Sequence, residues 1–263
     1  MAKKKSNGDE TSLTSRQQKI VEQVKEQGFV TIEALAAQFD VSSQTIRREI
    51  IWLDKVEVLQ RFHGGAGLRE ANIRLGYAEK KNTESNAKDK IGQHIARMIP
   101  DGASVFLDVG TTIEAVARAL IGKKSLRIVT ASLPAATILA GQPDIEVFVA
   151  GGNVQGPDGS LVGETTIANL AHFKVDYAIL GCSGFDDDGT IMDFDAQKVS
   201  VKRAMLGNCR QAILTADASK FTRSALIRMS PLGAFQYLVT NEQAPEHIQQ
   251  HIISSGIRLE IAE

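Results

Sequence analysis

The stretch "VSSQTIRREIIWL", residues 41–53, places two adjacent arginines and a glutamine early in a short helical pattern whose apolar residues lie elsewhere on the turn. At 100° per residue, Ile46, Ile50 and Leu53 fall on one narrow stripe, with Gln44, Arg47, Arg48 and Lys55 opposite. Ser42 is placed to cap this helix, and Val41 and Ile46 stand at the spacing of a hydrophobic staple. Upstream, residues 15–27 put Ile20, Val21 and Val24 on one face, with Gly28 as a stop. Thr31 caps a second helix that turns Leu35, Ala36 and Phe39 inward. Two short helices joined by a tight turn, the second capped and cationic outward, describe a helix-turn-helix. In that arrangement Ser43, Gln44, Thr45, Arg47 and Arg48 face a major groove, where Gln and Arg reach base edges and phosphates. A solvated surface helix has the same composition, so this feature alone leaves the two readings evenly matched.

The following stretch, VEVLQRFHGGAGL, shifts the balance. Its apolar residues at 56, 58 and 62, the Gly-Gly turn and the short return read as a β-hairpin. After a helix-turn-helix such a hairpin is a wing, with Arg61 and His63 near its tip. Charge distribution permits this without requiring it. The chain of 263 residues carries a formal net charge of -1, but residues 1–69 hold 11 Lys/Arg against 9 Asp/Glu. Cys182 and Cys209 are the only cysteines and form no CxxC, which points to a reducing cytoplasm. The opening MAKKKSNGDETS has no apolar core and does not read as a secretory signal. No apolar run approaches the ~20 residues needed to span a bilayer, so no membrane partner is expected.

Four zones follow from composition: a polar, disordered tail at 1–13, the helical and hairpin module at 14–69, a charged linker at 70–87, and a large domain at 88–263. In the large domain apolar runs alternate with helical patterns, the signature of a doubly wound α/β sheet. SVFLDVGTTIEAVARAL is a strand, a break at Asp108-Val-Gly-Thr-Thr, and a helix. Strand, glycine-hydroxyl turn and helix together offer an anion free backbone N–H groups, with Gly110 allowing close approach and Thr111 and Thr112 adding hydroxyls. A Thr-capped turn with no ligand has the same sequence. LRIVT ends at Thr130, IEVFVA at Gly151-Gly152, VDYAILG at Cys182-Ser183-Gly184, and QAILTA at Asp217, with Lys220 close behind. Ligands of open α/β sheets bind at the carboxyl ends of strands, so Thr130, Gly152, Ser183 and Gly184 are candidate pocket residues. Lys202 and Lys220 are candidate cations for a phosphate. Asp186-Asp187-Asp188-Gly189 fails the ligand pattern of a calcium loop and reads as a turn. His247 and His251 lack a third ligand, and no nucleophile with a base is evident. No metal, cofactor or catalytic residue is expected.

RQQKIVEQVKEQGFVTIEALAAQFDVSSQTIRREI, RFHGGA, FLDVGTT, AGG, LGCSGFDDDG, VKRAM and TADASKF together resemble the DeoR family of transcriptional regulators over nearly the whole chain. The resemblance implies a winged helix joined to a sugar-phosphate-sensing domain related to ribose-5-phosphate isomerase. It also implies repression at operator DNA, release by a phosphorylated metabolite, and a homo-oligomer, dimer or tetramer, held by the large domain. The effector expected is a small phosphorylated sugar or polyol, glycerol 3-phosphate first, with its phosphate on Gly110, Thr111 and Thr112. Lys202 or Lys220 would complete the charge balance and Asp108 would accept hydroxyl hydrogen bonds. The competing reading is an isomerase-like enzyme with an appended DNA module. Two positions depart from the family pattern: Ala131 stands where Asn is frequent, and Lys198 where Glu is frequent. The added charge at Lys198 would suit a more anionic effector. Phe62 replaces a frequent histidine in the wing.

Overall fold

Two hydroxyl groups start the helices of the N-terminal unit. Thr31 accepts a hydrogen bond from the Ala34 N–H at 3.1 Å, and Ser42 accepts one from the Thr45 N–H at 3.2 Å. Each removes an orphan donor from a helix end, which fixes where α2 (Ile32–Phe39) and α3 (Ser43–Lys55) begin. Between them Asp40 adopts φ 50, ψ 51, a left-handed conformation that Asp tolerates, and this tightens the turn. Ile46, Ile50 and Leu53 of α3 are fully buried, together with Ile20 and Val24 of α1 (Ser15–Gln27) and Leu35 of α2. The computed structural model describes residues 13–27, 29–56, 58–62, 65–67, 77, 80 and 84–263. It divides into two compact units, Met1–Leu75 and Gly76–Glu263.

The hairpin is a three-stranded antiparallel sheet. β2 (Gln60–Phe62) and β1 (Phe29–Thr31) both pair with β3 (Gly65–Gly67). β1, three residues long, escapes the sequence because a strand that short has no period to read. The expected tail (apart from Leu13), the Gly28 stop, His63 and most of the expected 70–87 linker lie outside the described residues. The described residues of that stretch, Tyr77, Lys80 and those from Glu84, belong to the second unit.

In that unit seven parallel strands form one sheet in the order β15-β14-β12-β9-β4-β5-β6. They are β4 (Ser104–Leu107), β5 (Leu126–Thr130), β6 (Ile145–Val149), β9 (Val175–Gly181), β12 (Cys209–Thr215), β14 (Tyr237–Thr240) and β15 (Arg258–Ile261). Parallel strands are covered on both faces and read as unbroken apolar runs. Val105, Leu107, Ile128, Ile179 and Ile213 meet α4 (Ser85–Met98), α5 (Thr111–Ala119) and α6 (Leu133–Leu139). Phe106, Val129, Ala178, Leu180 and Leu214 meet α7 (Glu164–Leu170), α8 (Ala196–Leu206) and α9 (Glu246–Ser255). Gly92 lets α4 press on α5, since a Cβ there would stand 2.7 Å from the Ala115 carbonyl oxygen. A hairpin, β7 (Asn153–Gln155) with β8 (Ser160–Val162), and a small sheet of β10 (Gly184–Phe185), β11 (Ile191–Asp193) and β13 (Ile227–Ser230) lie outside the main sheet. Asp186–Gly189 is the turn from β10 to β11, with Asp186 and Asp188 paired to Arg228 at 2.9 and 3.1 Å.

Chain order reverses direction between β4 and β9. That switch point is where an open α/β sheet leaves a crevice at its strand C-termini. The N-terminal unit depends on the buried stripe of α3. Ile50→Ala is expected to lower the stability of that unit by about 2–5 kcal/mol in urea unfolding, whereas Arg47→Ala on the exposed face should shift it by less than about 0.5 kcal/mol.

Candidate functional site

The N-terminal unit presents a polar face on α3. Gln44, Arg47 and Arg48 are exposed, Ser43 is half-buried, and the half-buried Thr45 shares a hydrogen bond with Ser42 at 3.0 Å. Glu49, the acid beside Arg48, is drawn back to α1: its carboxylate accepts from Gln17 Nε2 at 2.6 Å and pairs with Arg16 at 3.3 Å. The cationic face therefore carries little compensating charge of its own. Arg61 on β2 is exposed, and its N–H is held by Asp54 Oδ1 at 3.1 Å, which ties the wing to the end of α3.

The second unit places its polar residues at the switch point. Asp108 follows β4 and is almost fully buried. Its Oδ2 accepts the Gly181 N–H of β9 at 3.0 Å and stands 2.9 Å from Lys202 Nζ. Lys202, on α8 and 3% exposed, also meets Asp193 Oδ2 at 2.8 Å and donates to the Gly181 carbonyl at 2.7 Å. These three partners match the three donors of an ammonium. Asp193 accepts further from the Ser183 hydroxyl at 2.9 Å and the Phe194 N–H at 2.7 Å. Burial alone would raise the Asp193 carboxyl, but the Lys202 charge and these bonds outweigh it and hold it at about 2. For Asp108 burial prevails and its carboxyl is pushed up, despite Lys202. Burial likewise works against the Lys202 ammonium, but the two carboxylates overcome it and hold its pKa above the ordinary value. Burial pushes the neighbouring Cys182 thiol to about 12, which leaves it without a nucleophilic thiolate near neutrality.

Two residues after Asp108 the chain enters α5. Gly110, at φ 123, ψ 163, caps it without a side-chain hydrogen bond, and the ladder begins with Glu114 N–H to Gly110 O at 3.0 Å. The N–H groups of Thr111, Thr112 and Ile113 therefore have no partner within the helix, and the helix polarity there favours an anion. On the far side of β9, the Thr215 hydroxyl at the end of β12 is buried and unpartnered among the described residues. A Cβ on Gly181 would stand 3.8 Å from that hydroxyl and 3.9 Å from Asp108 Oδ2, so the hydroxyl borders the same crevice. Asp217 is buried next to it. Burial would raise its carboxyl, but Lys220 first, then Ser219, Lys88 and Arg223 hold it low. Lys88 on α4 is buried as well. Desolvation, partly offset by Asp217, lowers its pKa to about 8.

Residues 83–242 match the DeoR C terminal sensor domain, and residues 16–72 match the DeoR-like helix-turn-helix domain. The chain belongs to the DeoR family. It is 42% identical over 93% of its length to the glycerol-3-phosphate regulon repressor of Haemophilus influenzae, of which it covers 95%. It is 38% identical over 94% of its length to the repressor of the same name from Escherichia coli K12, of which it covers 98%. Among solved structures, ribose 5-phosphate isomerase A of Methanocaldococcus jannaschii overlaps 53% of the chain and 55% of its own, at 16% identity and a TM-score of 0.39. The doubly wound class rests on the strand order itself.

Within this DeoR sensor domain the expected effector residues do not all converge. Asp108, Gly110, Thr111, Thr112, Ser183 and Lys202 gather at the β4 and β9 ends. Lys220 stands beside Asp217 at 3.6 Å. Thr130 is fully buried, donating to the Leu107 carbonyl at 2.7 Å and accepting the Ser132 N–H at 3.0 Å, so its hydroxyl splices β4 to β5. Gly152 and Gly184 are packing glycines. A Cβ would overlap Thr166 Oγ1 at the first and the Arg223 carbonyl at the second. Lys198 is paired with Asp158 of the β7–β8 turn, which also accepts from Ser160 at 2.8 Å. The charge that departs from the family pattern is thus already neutralised, and the argument for a more anionic effector loses its basis.

Asp193, Lys88 and Thr215 also stand at or beside this crevice, and the sequence did not single them out, whereas Asp217 was already read as a strand-end residue that could line the pocket. Lys88 had a usable signal, since it precedes Ile91 and Ile95 by three and seven positions and so lies on the buried face of α4.

Replacing Lys202 leaves two buried carboxylates without a cation. Lys202→Met is expected to cost ~3–5 kcal/mol at pH 7 in chemical denaturation. The abandoned acids would titrate above their unfolded values, so the variant should recover stability as pH falls from 7 to 5. The wild type should gain nothing from Asp193 over that range, because a depressed acid keeps its full contribution above the unfolded value of ~4 and loses it only as pH falls towards about 2.

Proposed function

We propose that this chain is a transcriptional repressor that binds operator DNA through α3 and its wing and releases it on binding a small phosphorylated polyol or sugar. Glycerol 3-phosphate is the leading effector. The observation that carries the reading is the uncapped start of α5 at the switch point of the sheet, in a chain whose other unit exposes Gln44, Arg47 and Arg48 on a capped helix. Kinship in full length with repressors named for the glycerol-3-phosphate regulon supports the choice of effector. In this reading Arg47 and Arg48 reach base edges or phosphates, Ser43, Gln44 and Thr45 complete the face, and Arg61, with His63 beside it in sequence, meets the backbone from the wing. The phosphate rests on Gly110, Thr111 and Thr112. Lys202, its donors already taken, orders the crevice, while Lys220 and Lys88 supply the cationic surroundings.

The chain works in the cytoplasm as a homo-oligomer. One three-helix module makes few base contacts, and a symmetric pair of modules on a palindromic operator multiplies them. Among the described residues no helix is long and apolar enough to cross a membrane. We assign it no catalysis. Asp108 and Asp193, the acids at the switch point, are both engaged by Lys202 rather than held ready for a substrate proton.

Operator affinity of the full chain, measured with glycerol 3-phosphate and with glycerol, tests this. The ester should weaken binding at least about tenfold, a coupling of ~1.4 kcal/mol, and glycerol should not. Arg47→Ala with Arg48→Ala should weaken operator binding and flatten its salt dependence without altering effector binding. Equal release by glycerol and its phosphate would refute the phosphate site. Steady turnover of ribose 5-phosphate would instead favour the enzyme.

A further inference from the structure

Two described residues of the stretch that leads from the DNA-binding unit into the sensor unit, Tyr77 and Lys80, are held at the start of α5. The Tyr77 hydroxyl donates to Glu114 Oε1 at 2.6 Å, and Glu114 lies in the first turn of that helix. The Lys80 main-chain carbonyl accepts from Thr111 Oγ1 at 3.3 Å and also from Lys88 Nζ. A single carbonyl oxygen thus takes a hydroxyl of the phosphate-cradle turn and a buried ammonium beside it. A hydroxyl and an ammonium converging on one oxygen are the donor set a phosphate oxygen would take.

We propose that the Lys80 carbonyl stands in for an effector phosphate oxygen, so that effector and connector compete for Thr111 and Lys88, and effector binding frees the connector from α5. The proposal rests on the phosphate site argued above and assigns its regulation. A dianion outcompetes a neutral carbonyl because its hydrogen bonds are charge-assisted and about twice as strong. Loss of the Thr111 and Lys88 bonds removes the main-chain attachment at Lys80 and leaves the Tyr77 hydroxyl on Glu114 as the other described attachment. The effector then binds the released state more tightly than the pinned one, which is the differential affinity that any coupling requires. In this proposal release of the connector is coupled to operator affinity through the effective concentration of paired DNA-binding units on paired half-sites.

The test uses the full chain and amide hydrogen exchange of a peptide covering residues 77–88. Without ligand, Tyr77→Phe should speed exchange there and weaken operator binding, each by about threefold or more, because the pin to Glu114 is gone. Unchanged exchange, or faster exchange with unchanged operator affinity, overturns the proposal. In the wild type, glycerol 3-phosphate or inorganic phosphate that raises the melting temperature should also speed exchange in this peptide. Slowed or unchanged exchange with such a probe bound overturns the proposal and leaves the effector reading standing. If neither probe raises the melting temperature, the effector reading falls, and the ligand-free comparison decides whether the connector pin is real.

Discussion

A single buried ammonium holds the sensor unit's crevice together. Lys202 touches the acid after β4, the last carbonyl of β9 and the acid at the end of β11, and nothing less than all three would make its burial affordable. These contacts set where α8 lies against the sheet, because the lysine must arrive at the switch point with its nitrogen inside. They also leave an imbalance. Two carboxylates share one cation: burial pushes the Asp108 carboxyl up, whereas the Lys202 charge and hydrogen bonds hold Asp193 low. A phosphate dianion gains nothing by approaching this arrangement directly. The start of α5, whose cap Gly110 makes no side-chain hydrogen bond, is where the proposed function puts such an anion.

Much of this was legible in the sequence, and the limits have physical causes. α2 and α3 could be read because their signals are local: a capping hydroxyl, a stripe at helical spacing and a turn. The central strands could be read because burial on both faces makes them runs such as VDYAILG. β15 was missed since RLEI, at the sheet edge, shows no comparable run. In the site the glycine-hydroxyl turn at Gly110 was found from its neighbours in the chain. Lys202 was read as a candidate cation for a phosphate, but its partners follow β4 and end β9 and β11, and no spacing rule reveals that an ammonium will spend its donors on distant groups. Thr130 and Gly152 were drawn into the pocket by their place at strand ends, where composition cannot separate a residue that closes the fold from one that faces a ligand.

Lys198 shows how a departure from a family pattern can be silent. Read alone it adds a charge to a pocket. In the folded unit Asp158, from a hairpin turn forty residues earlier, absorbs that charge. The two positions form one electrostatic unit, and returning Lys198 to an acid without changing Asp158 would set two carboxylates against each other.

The strand order also governs how the protein emerges during synthesis. The winged module closes with β3 at residue 67 through contacts that are all near in sequence, so it is complete early. β4 takes a central position in the sheet, yet its partner β9 begins only at Val175, and in between one long edge of β4 has no strand to bond with. Pairing across such a separation is slow, and an open edge is prone to pair wrongly. A nascent chain is therefore expected to carry a finished winged module well before its sensor can close, and a product truncated near residue 170 would hold that module followed by a sheet still lacking β9, β12, β14 and β15.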